Sequence, residues 1–375
     1  MNRRWMMASA AVVIAFAMAV MALSPKAEPA SEGGFGAMAL IEAETGELLE
    51  GENCDTPLPM ASTTKIMTAL IVLENCPPDE LVEIPDEAVG VEGSSVCLEK
   101  SERMTVRDLL YGLMLASGND AAVALAVHVS GSMEAFAGLM NARAEQLGLC
   151  STHFVNPHGL TAEGHMTTAR ELCLIAREAL KNEAFREIVR TKYHRAESGA
   201  YPRTFKNKNA LLWDYDGAFG VKTGYTEAAG RCLVFGAERE GMELIGCLLD
   251  CGPMFGTAAR LMDGAFAKYT KQTVIGAGTR VLDTYIPGGS QKVLELASKS
   301  SIITVTEEGT ERSVRTETEL LPELRAPVMR GETAGVLRVY EAGKLVGETE
   351  LIAVNSVAAD DYGFWFRLLS SLFAA

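Results

Sequence analysis

The chain has 375 residues, of which 49 are acidic and 34 are basic, and its formal net charge is −15. This length suffices for two domains with a sizeable core. Proteins that bind nucleic acid present a basic stripe to the phosphates, and the sequence contains no such stripe. The composition therefore argues against a nucleic-acid partner.

The N-terminus has the pattern of an export signal. Arg3 and Arg4 precede an almost wholly apolar run from Met6 to Leu23, and small residues follow. This run is short for a membrane span, so we expect a signal peptide over residues 1–30, with a retained anchor helix as the alternative. In either case the remainder should lie outside the cytoplasm, at the outer face of the cytoplasmic membrane.

Eight cysteines are spread along the chain. They are Cys54, Cys76, Cys97, Cys150, Cys173, Cys232, Cys247 and Cys251. Export would permit disulfides, but the sequence gives no pairing, and buried free thiols remain an equal alternative. No CxxC pair occurs, and the single CxxxC spacing does not predict a zinc site. We therefore expect no metal and no cofactor.

The first part of the chain mixes strand and helix patterns. Gly36–Glu50 predicts two short strands around a Thr-Gly turn, and a helix that carries Ser62 follows. Apolar residues at three-to-four spacing predict helices from Thr105 to Leu149, with a break at Ser117–Asn119, and again from Thr167 to Lys181.

After Trp213 the pattern changes to neighbouring antiparallel strands, in GVKTGYT and GRCLVFGAEREGMELIGCLLD. A helix from about Thr257 to Lys271 is predicted next. Helices that lie between early and late strands predict an α/β or α+β core whose first and last strands share one sheet. We expect this domain to span residues 31–271.

The C-terminal part predicts a small all-β domain over residues 272–356. Its strand-like runs, SIITVT, GVLRVYE and VGETELIAV, are separated by turns that contain glycine. Residues 357–375 end in YGFWFRLLSSLFAA, Tyr362 to Ala375, which suits an amphipathic helix on a membrane surface with Trp365 at the headgroups. A helix docked on the protein itself is the alternative.

A serine and a lysine stand three residues apart in MASTTKIMTALIVLE. On a helix, Ser62 and Lys65 would share one face, and the apolar neighbours would desolvate the lysine toward its neutral form. A neutral amine beside a hydroxyl is a general base beside a nucleophile. Taken alone, however, the pattern is better explained by an N-cap serine and a surface lysine.

Two further motifs favour the chemical interpretation. Ser117-Gly118-Asn119 interrupts a predicted helix, and a glycine in such a position costs stability. Lys222-Thr223-Gly224 lies on a predicted strand, where the glycine would let a ligand approach the backbone. The order SxxK, SxN, KTG is that of the penicillin-binding serine enzymes.

The chain resembles the low-molecular-weight penicillin-binding proteins, the serine-type D-alanyl-D-alanine carboxypeptidases that trim peptidoglycan. Segments that carry the resemblance are PMASTTKIMTAL, LLYGLMLASGNDAAVALA, MNARAEQLGL, THFVNPHGL and FGVKTGYTEAAGRCLV. It covers roughly Gly36 to the C-terminus. It implies a penicillin-binding/β-lactamase-like transpeptidase domain, then a β-rich domain and an amphipathic helix. It also implies peptidoglycan pentapeptides as substrates and β-lactams as covalent ligands.

The resemblance assigns a role to each motif residue. Ser62 would be the acylated nucleophile, and Lys65 would take its proton. Ser117 would relay protons, and Asn119 would hold the substrate amide. Lys222 would place positive charge near Ser117 and the substrate carboxylate.

Substrate binding is implied for the strand that carries KTG. Thr223 would hydrogen-bond the substrate carboxylate beside Gly224, and the backbone N–H groups of Ser62 and Tyr225 would form the oxyanion hole. Some relatives place an arginine ahead of this strand, where the present chain has Lys208. A lysine is a point charge rather than a planar fork, so we expect its contact with the substrate to be weaker than that of an arginine, or absent.

Three alternatives remain. A class A β-lactamase shares the motifs but needs a deacylating glutamate; Glu163 and Glu171 stand in the relevant segment without the Glu-x-x-Leu-Asn pattern. A wall-binding protein or β-lactam sensor would acylate without turnover. A metal hydrolase could use His153, His158 and His165, but their spacing matches no HExxH motif.

Overall fold

The computed structural model of the protein describes residues 34–310, 313–360 and 369. The predicted signal peptide lies outside these residues, as does the predicted amphipathic tail apart from Leu369. The strands and helices that follow are those of the described residues.

Eight α-helices are numbered in chain order. They are α1 (Lys65–Asn75), α2 (Val106–Tyr111), α3 (Asn119–Ser130), α4 (Met133–Gln146), α5 (Ala169–Leu180), α6 (Glu183–Arg190), α7 (Leu211–Asp214) and α8 (Met254–Lys268). The strands of the first domain are β1 (Phe35–Glu42), β2 (Leu48–Glu52), β3 (Leu81–Glu83), β4 (Arg103–Thr105), β5 (Tyr193–Ala196), β6 (Arg203–Lys206), β7 (Ala218–Thr226), β8 (Gly230–Arg239) and β9 (Met242–Cys251). Those that follow are β10 (Tyr269–Ile275), β11 (Arg280–Tyr285), β12 (Val293–Ser298), β13 (Ile302–Glu307), β14 (Val314–Leu320), β15 (Thr333–Glu341) and β16 (Lys344–Ala353).

The main sheet is antiparallel and five-stranded, in the order β2-β1-β9-β8-β7. Strand β1 pairs with β9 along its length, from Phe35 opposite Cys251 to Glu42 opposite Leu244. The prediction that the first and last strands of this domain share one sheet is thus confirmed. The same strand order places β7, which carries the KTG motif, at one edge of the sheet.

Both faces of this sheet are covered. Along β1, Ala39 and Ile41 face the helical core, whereas Met38 and Leu40 pack with residues of α8 on the opposite face. Alternate residues of a strand point to opposite faces, so a sheet covered on both sides needs apolar residues at every position. This explains the continuous apolar runs in β8 and β9, where a half-exposed antiparallel sheet would alternate.

The helix predictions are largely confirmed, with one boundary corrected. The predicted helix Thr257–Lys271 is observed as Met254–Lys268, and β10 begins at Tyr269. The sequence interpretation also missed α6, α7 and the hairpins β3–β4 and β5–β6. These elements are too short for a hydrophobic period to reveal them, and their pairing partners stabilise them.

Residues after α8 form a second β structure. A five-stranded sheet has the order β11-β12-β16-β15-β14, and β10 pairs with β13. Its core includes Leu294, Leu296, Leu337 and Leu351. The predicted domain boundary at residues 271/272 lies within β10, and the domain limits stay a prediction. In the described ranges no single helix meets the length and apolarity of a membrane span; α3 and α4, bent by 82°, meet them only as a pair.

Candidate active site

Ser62 lies in a 3₁₀ turn, Ala61–Thr64, that runs directly into α1. The hydroxyls of Thr63 and Thr64 donate to the carbonyls of Met60 and Ala61, at 2.5 and 2.8 Å, and so hold the turn. Side chains at i and i+3 eclipse each other in a 3₁₀ helix. This geometry sets the side chains of Ser62 and Lys65 on the same face of the chain.

The amine of Lys65 is fully buried and has three hydrogen-bond acceptors. Its Nζ lies 3.0 Å from Ser62 Oγ, 2.7 Å from Asn119 Oδ1 and 2.5 Å from the carbonyl oxygen of His158. Burial lowers the pKa of Lys65 well below its ordinary value, and the charges of Lys222 and Lys208 lower it further. The desolvation inferred from the flanking apolar residues is confirmed.

The SGN motif breaks the helical segment as the sequence predicts. A π-helical turn, Gly112–Ala116, leads to Ser117, which has a left-handed backbone with φ of 65°, and α3 then begins at Asn119. The Asn119 amide is held from both sides, because its Oδ1 accepts from Lys65 and its Nδ2 donates to the carbonyl of Glu92 at 2.5 Å. The break therefore aims Ser117 and Asn119 into one cleft.

Lys222, on β7, completes the cluster of polar side chains. Its Nζ donates to Ser117 Oγ at 3.0 Å and to the carbonyl of Thr223 at 2.9 Å. Burial, reinforced by the charge of Lys208, lowers the pKa of Lys222 to about 7. The fold thus brings together the five predicted catalytic residues, Ser62, Lys65, Ser117, Asn119 and Lys222.

Gly224 has a different role from the one first expected. A Cβ added at this position would lie 3.0 Å from the Ser62 nitrogen and 3.1 Å from the Ala61 Cβ. The glycine therefore lets β7 approach the nucleophile turn, rather than only a ligand approach the strand. Because of this close approach, the backbone N–H of Ser62 lies next to β7 at Gly224.

An open cleft of about 490 Å³ lies over these residues. It is lined by Ser62, Ser94, Ser117, Lys208, Thr223, Gly224, Tyr225, Arg231, Met254 and Phe255. Lys208 donates to Ser94 Oγ at 3.0 Å, and the Tyr225 side chain is 65% exposed. All nine residues predicted for the site are therefore in or directly beneath one cleft.

Several contributors were missed from the sequence. The carbonyls of Glu92 and His158 position Asn119 and Lys65, and a main-chain atom leaves no signal in residue identity. Ser94 reaches the cleft on a loop anchored by Asp120, whose carboxylate accepts from Ser95 Oγ and from the backbone N–H groups of residues 96 and 98. Of these contributors, only Asp120 could have been identified from the sequence, because it directly follows the SGN motif.

The three clustered histidines make hydrogen bonds within and beside their own loop. His165 Nδ1 accepts from the Val155 N–H at 3.0 Å, so Nε2 carries the proton and donates to Thr64 Oγ1 at 2.8 Å. Burial is the main cause that lowers the pKa of His165 to about 4 and that of His158 to about 3. Both rings are therefore neutral, and His165 braces the nucleophile turn.

All eight cysteines lie within the described residues, and each is a free thiol there. Cys173, Cys232, Cys247 and Cys251 are buried, and burial raises the pKa of each thiol. The structure favours the free-thiol alternative over a disulfide framework.

The fold and the cleft define a class of proteins, the serine peptidases that carry SxxK, SxN and KTG motifs around one site. Residues 25–252 match the family model of the D-alanyl-D-alanine carboxypeptidases, peptidase family S11, and residues 269–359 match the C-terminal domain of penicillin-binding protein 5. The chain belongs to the D-alanyl-D-alanine carboxypeptidase family. It is a serine-type carboxypeptidase with a catalytic domain followed by an all-β domain.

Individual relatives agree with this assignment. The chain is 34% identical over 324 residues to the D-alanyl-D-alanine carboxypeptidase DacF of Bacillus subtilis, covering 84% of this chain and 83% of that protein. It is 44% identical over 223 residues to the D-alanyl-D-alanine carboxypeptidase of Streptomyces sp. K15, covering 55% and 77%. The crystal structure of penicillin-binding protein 5 from Haemophilus influenzae superposes with a TM-score of 0.73 at 27% identity, covering 88% and 98%.

Proposed function

We propose that the protein removes the terminal D-alanine from peptidoglycan stem peptides through an acyl-enzyme on Ser62. The observation that carries the proposal is the 3.0 Å contact between Ser62 Oγ and the fully buried amine of Lys65. Desolvation lowers the pKa of this amine and so favours the neutral form, which can accept the serine proton.

Acylation begins when Ser62 Oγ attacks the carbonyl carbon between the two D-alanines as its proton moves to Lys65 Nζ. The negative oxygen of the tetrahedral intermediate is stabilised by the backbone N–H groups of Ser62 and Tyr225; one such donor is typically worth roughly 10²–10³ in rate. The C–N bond then breaks, and the proton that Lys65 took from Ser62 passes through Ser117, which Lys222 contacts, to the leaving nitrogen, so that Lys65 is neutral again. D-Alanine departs and leaves an ester on Ser62.

Deacylation repeats this chemistry with water as the nucleophile. Lys65, neutral again, takes a proton from the water, and the ester C–O bond breaks to return the hydroxyl of Ser62. The shortened peptide leaves as a carboxylate. The same ester forms with β-lactams, whose strained amide takes the place of the peptide bond.

The carboxylate of the terminal D-alanine requires positive charge and hydroxyl donors. Lys222, Thr223 and Lys208 supply them at one end of the cleft. We assign Lys208 as the flexible cationic contact, in the position where some relatives use arginine.

The experiment is intact-mass measurement after incubation with a penicillin, together with D-alanine release from a peptide that ends in D-Ala-D-Ala. We expect one adduct and D-alanine release for the wild type, and neither for Ser62→Ala. An adduct without D-alanine release would instead favour a β-lactam sensor. Rapid drug hydrolysis with no lasting adduct would favour a β-lactamase.

The location of the protein is part of the proposal. We propose that the protein is exported by its N-terminal segment and lies at the outer face of the cytoplasmic membrane, with residues 362–375 associated with the lipid surface. The apolar run from Met6 and the aromatic C-terminal segment support this location. Membrane fractionation of the full chain tests it.

A further inference from the structure

Three side chains with different metal-binding atoms meet far from the cleft. The sulfur of Cys76, a carboxylate oxygen of Glu80 and a ring nitrogen of His128 all lie within 4.8 Å of one another. His128 Nε2 is 3.1 Å from Glu80 Oε1. This cluster has no part in the chemistry at Ser62.

The cluster lies where the two helices that bear catalytic groups end. Helix α1 starts at Lys65, and Cys76 is its C-terminal cap. Helix α3 starts at Asn119, and His128 lies in its last turn. The cluster therefore joins the far ends of two helices whose first residues form the site; α1, with 11 residues, separates the two places by roughly 16 Å.

The loop that presents Glu80 is held in place before any ion binds. Its sequence is Cys-Pro-Pro-Asp-Glu, in which the two prolines restrict the backbone. The Glu80 N–H donates to the Pro77 carbonyl at 3.1 Å, and the carbonyls of Pro78 and Glu80 accept from the first residues of α2 at 2.8 and 2.9 Å. Preorganised ligands bind a metal with little loss of conformational freedom.

The electrostatic surroundings favour a cation. The carbonyl ends of α1 and α3 both point toward this region and contribute partial negative charge. Burial and the neighbouring Glu80 carboxylate raise the pKa of the Cys76 thiol. A bound divalent cation would reverse both penalties, since it neutralises the carboxylate and replaces the thiol proton.

We propose that Cys76, Glu80 and His128 bind one Zn²⁺ ion that links the C-terminal ends of α1 and α3. Sulfur, imidazole nitrogen and carboxylate oxygen together form a ligand set that suits zinc, whereas calcium and magnesium prefer oxygen alone. The Glu80 side chain is partly exposed, so a water molecule would be available as the fourth ligand of a tetrahedral site. Binding releases the Cys76 proton, so affinity rises with pH.

The first test uses Co²⁺ as a spectroscopic substitute for Zn²⁺ on the reduced, metal-free chain. We expect one equivalent to produce a thiolate-to-cobalt charge-transfer band, which added Zn²⁺ abolishes. Cys76→Ser and His128→Gln should lose the band, whereas Cys150→Ser, which removes an exposed thiol elsewhere, should retain it. A band that survives in Cys76→Ser, or no band in the wild type, overturns the proposal.

A second measurement needs no variant and guards against misfolding. Zn²⁺ should slow alkylation of Cys76 in the wild type at least tenfold and leave Cys150 unaffected, as mapped by peptide mass spectrometry.

Penicillin acylation of Ser62 confirms that each variant is folded, and it should proceed in Cys76→Ser and His128→Gln. Equal alkylation of Cys76 with and without Zn²⁺ contradicts the site.

Discussion

The protonation of individual lysines determines what this site can do. Lys65 must be neutral to accept a proton, whereas Lys222 must be charged to attract a carboxylate. Burial lowers the pKa of both amines, and the charge of Lys208 adds to the effect on each. One exposed lysine therefore influences both groups from the rim of the cleft.

The rate of Ser62 acylation should rise with pH as Lys65 loses its proton, and fall as Lys222 loses its proton around pH 7. Lys208→Gln removes a positive charge, so both pKa values rise and both limbs of the pH profile move to higher pH. The measurement is the second-order rate constant for penicillin acylation across pH. Because the two amines interact, the limbs report the pair rather than each residue alone.

Lys206→Gln is the matched control for this change, since it removes a lysine close by in sequence that contributes to neither pKa shift. Its profile should coincide with that of the wild type. If the Lys208→Gln profile keeps the wild-type limbs and only its amplitude changes, Lys208 acts on the substrate and not on the two lysines.

The site also depends on how closely three structural elements approach one another. The nucleophile turn Ala61–Thr64, the break before α3 and the edge strand β7 each bring one motif to the cleft. The contact between β7 and the turn is possible because Gly224 has no side chain. A fourth element, the loop that carries Ser94, is held at the cleft by Asp120.

Gly224→Ala should impair acylation more than folding. The new Cβ would lie 3.0 Å from the Ser62 nitrogen, so β7 and the turn must separate and the oxyanion donors must shift. We expect acylation to fall roughly 10–100-fold, as misplacement within a site commonly does. Stopped-flow acylation and thermal unfolding measure the two effects.

Gly138→Ala is the control, because it adds the same methyl group in the middle of α4, where no atom other than the neighbouring helix backbone lies within 4 Å. Alanine is the better helix former there, so stability should increase by about 0.5–1 kcal/mol with acylation unchanged. Equal acylation rates for Gly224→Ala and Gly138→Ala would show that the close approach at Gly224 is unimportant.

Asp120→Asn should loosen the loop that carries Ser94. The carboxylate accepts from Ser95 Oγ and from two backbone N–H groups, and an amide cannot accept all of these. Leaving a buried donor without an acceptor costs about 1–3 kcal/mol, which thermal unfolding would detect, together with a higher KM. Asp79→Asn, at an exposed ion pair with Arg107, should change stability by less than about 1 kcal/mol.

At the scale of the whole molecule, the protein combines a catalytic domain with a β-rich domain that is followed by an aromatic tail. We propose that the β-rich domain acts as a pedestal that holds the cleft toward the wall.

Deletion of residues 362–375 should release the protein from membranes without loss of penicillin acylation. The segment is apolar and aromatic with a single basic residue, Arg367, which suits insertion at the lipid interface. Fractionation of cells or binding to anionic vesicles measures the change. Unaltered membrane association would leave the N-terminal segment as the anchor and remove the tail from the proposal.

Much of this protein was determined by local sequence. The three motifs, the strand on each side of the helical core and the break at Ser117 follow from patterns that span a few residues. No local pattern brings the catalytic residues together. The family resemblance alone predicted that one site contains Ser62, Lys65, Asn119 and Lys222.

Only the tertiary structure decided which distant groups contact these side chains. The fold buries Lys65 completely, which lowers the pKa of its amine, and it turns the carbonyl of His158, 93 residues away, toward that amine to hold it in place. The same long-range packing sets Gly224 against the nucleophile turn and gathers Cys76, Glu80 and His128 at the far helix ends. Main-chain contacts between distant segments depend on the whole fold, and for this reason residue identity alone did not predict them.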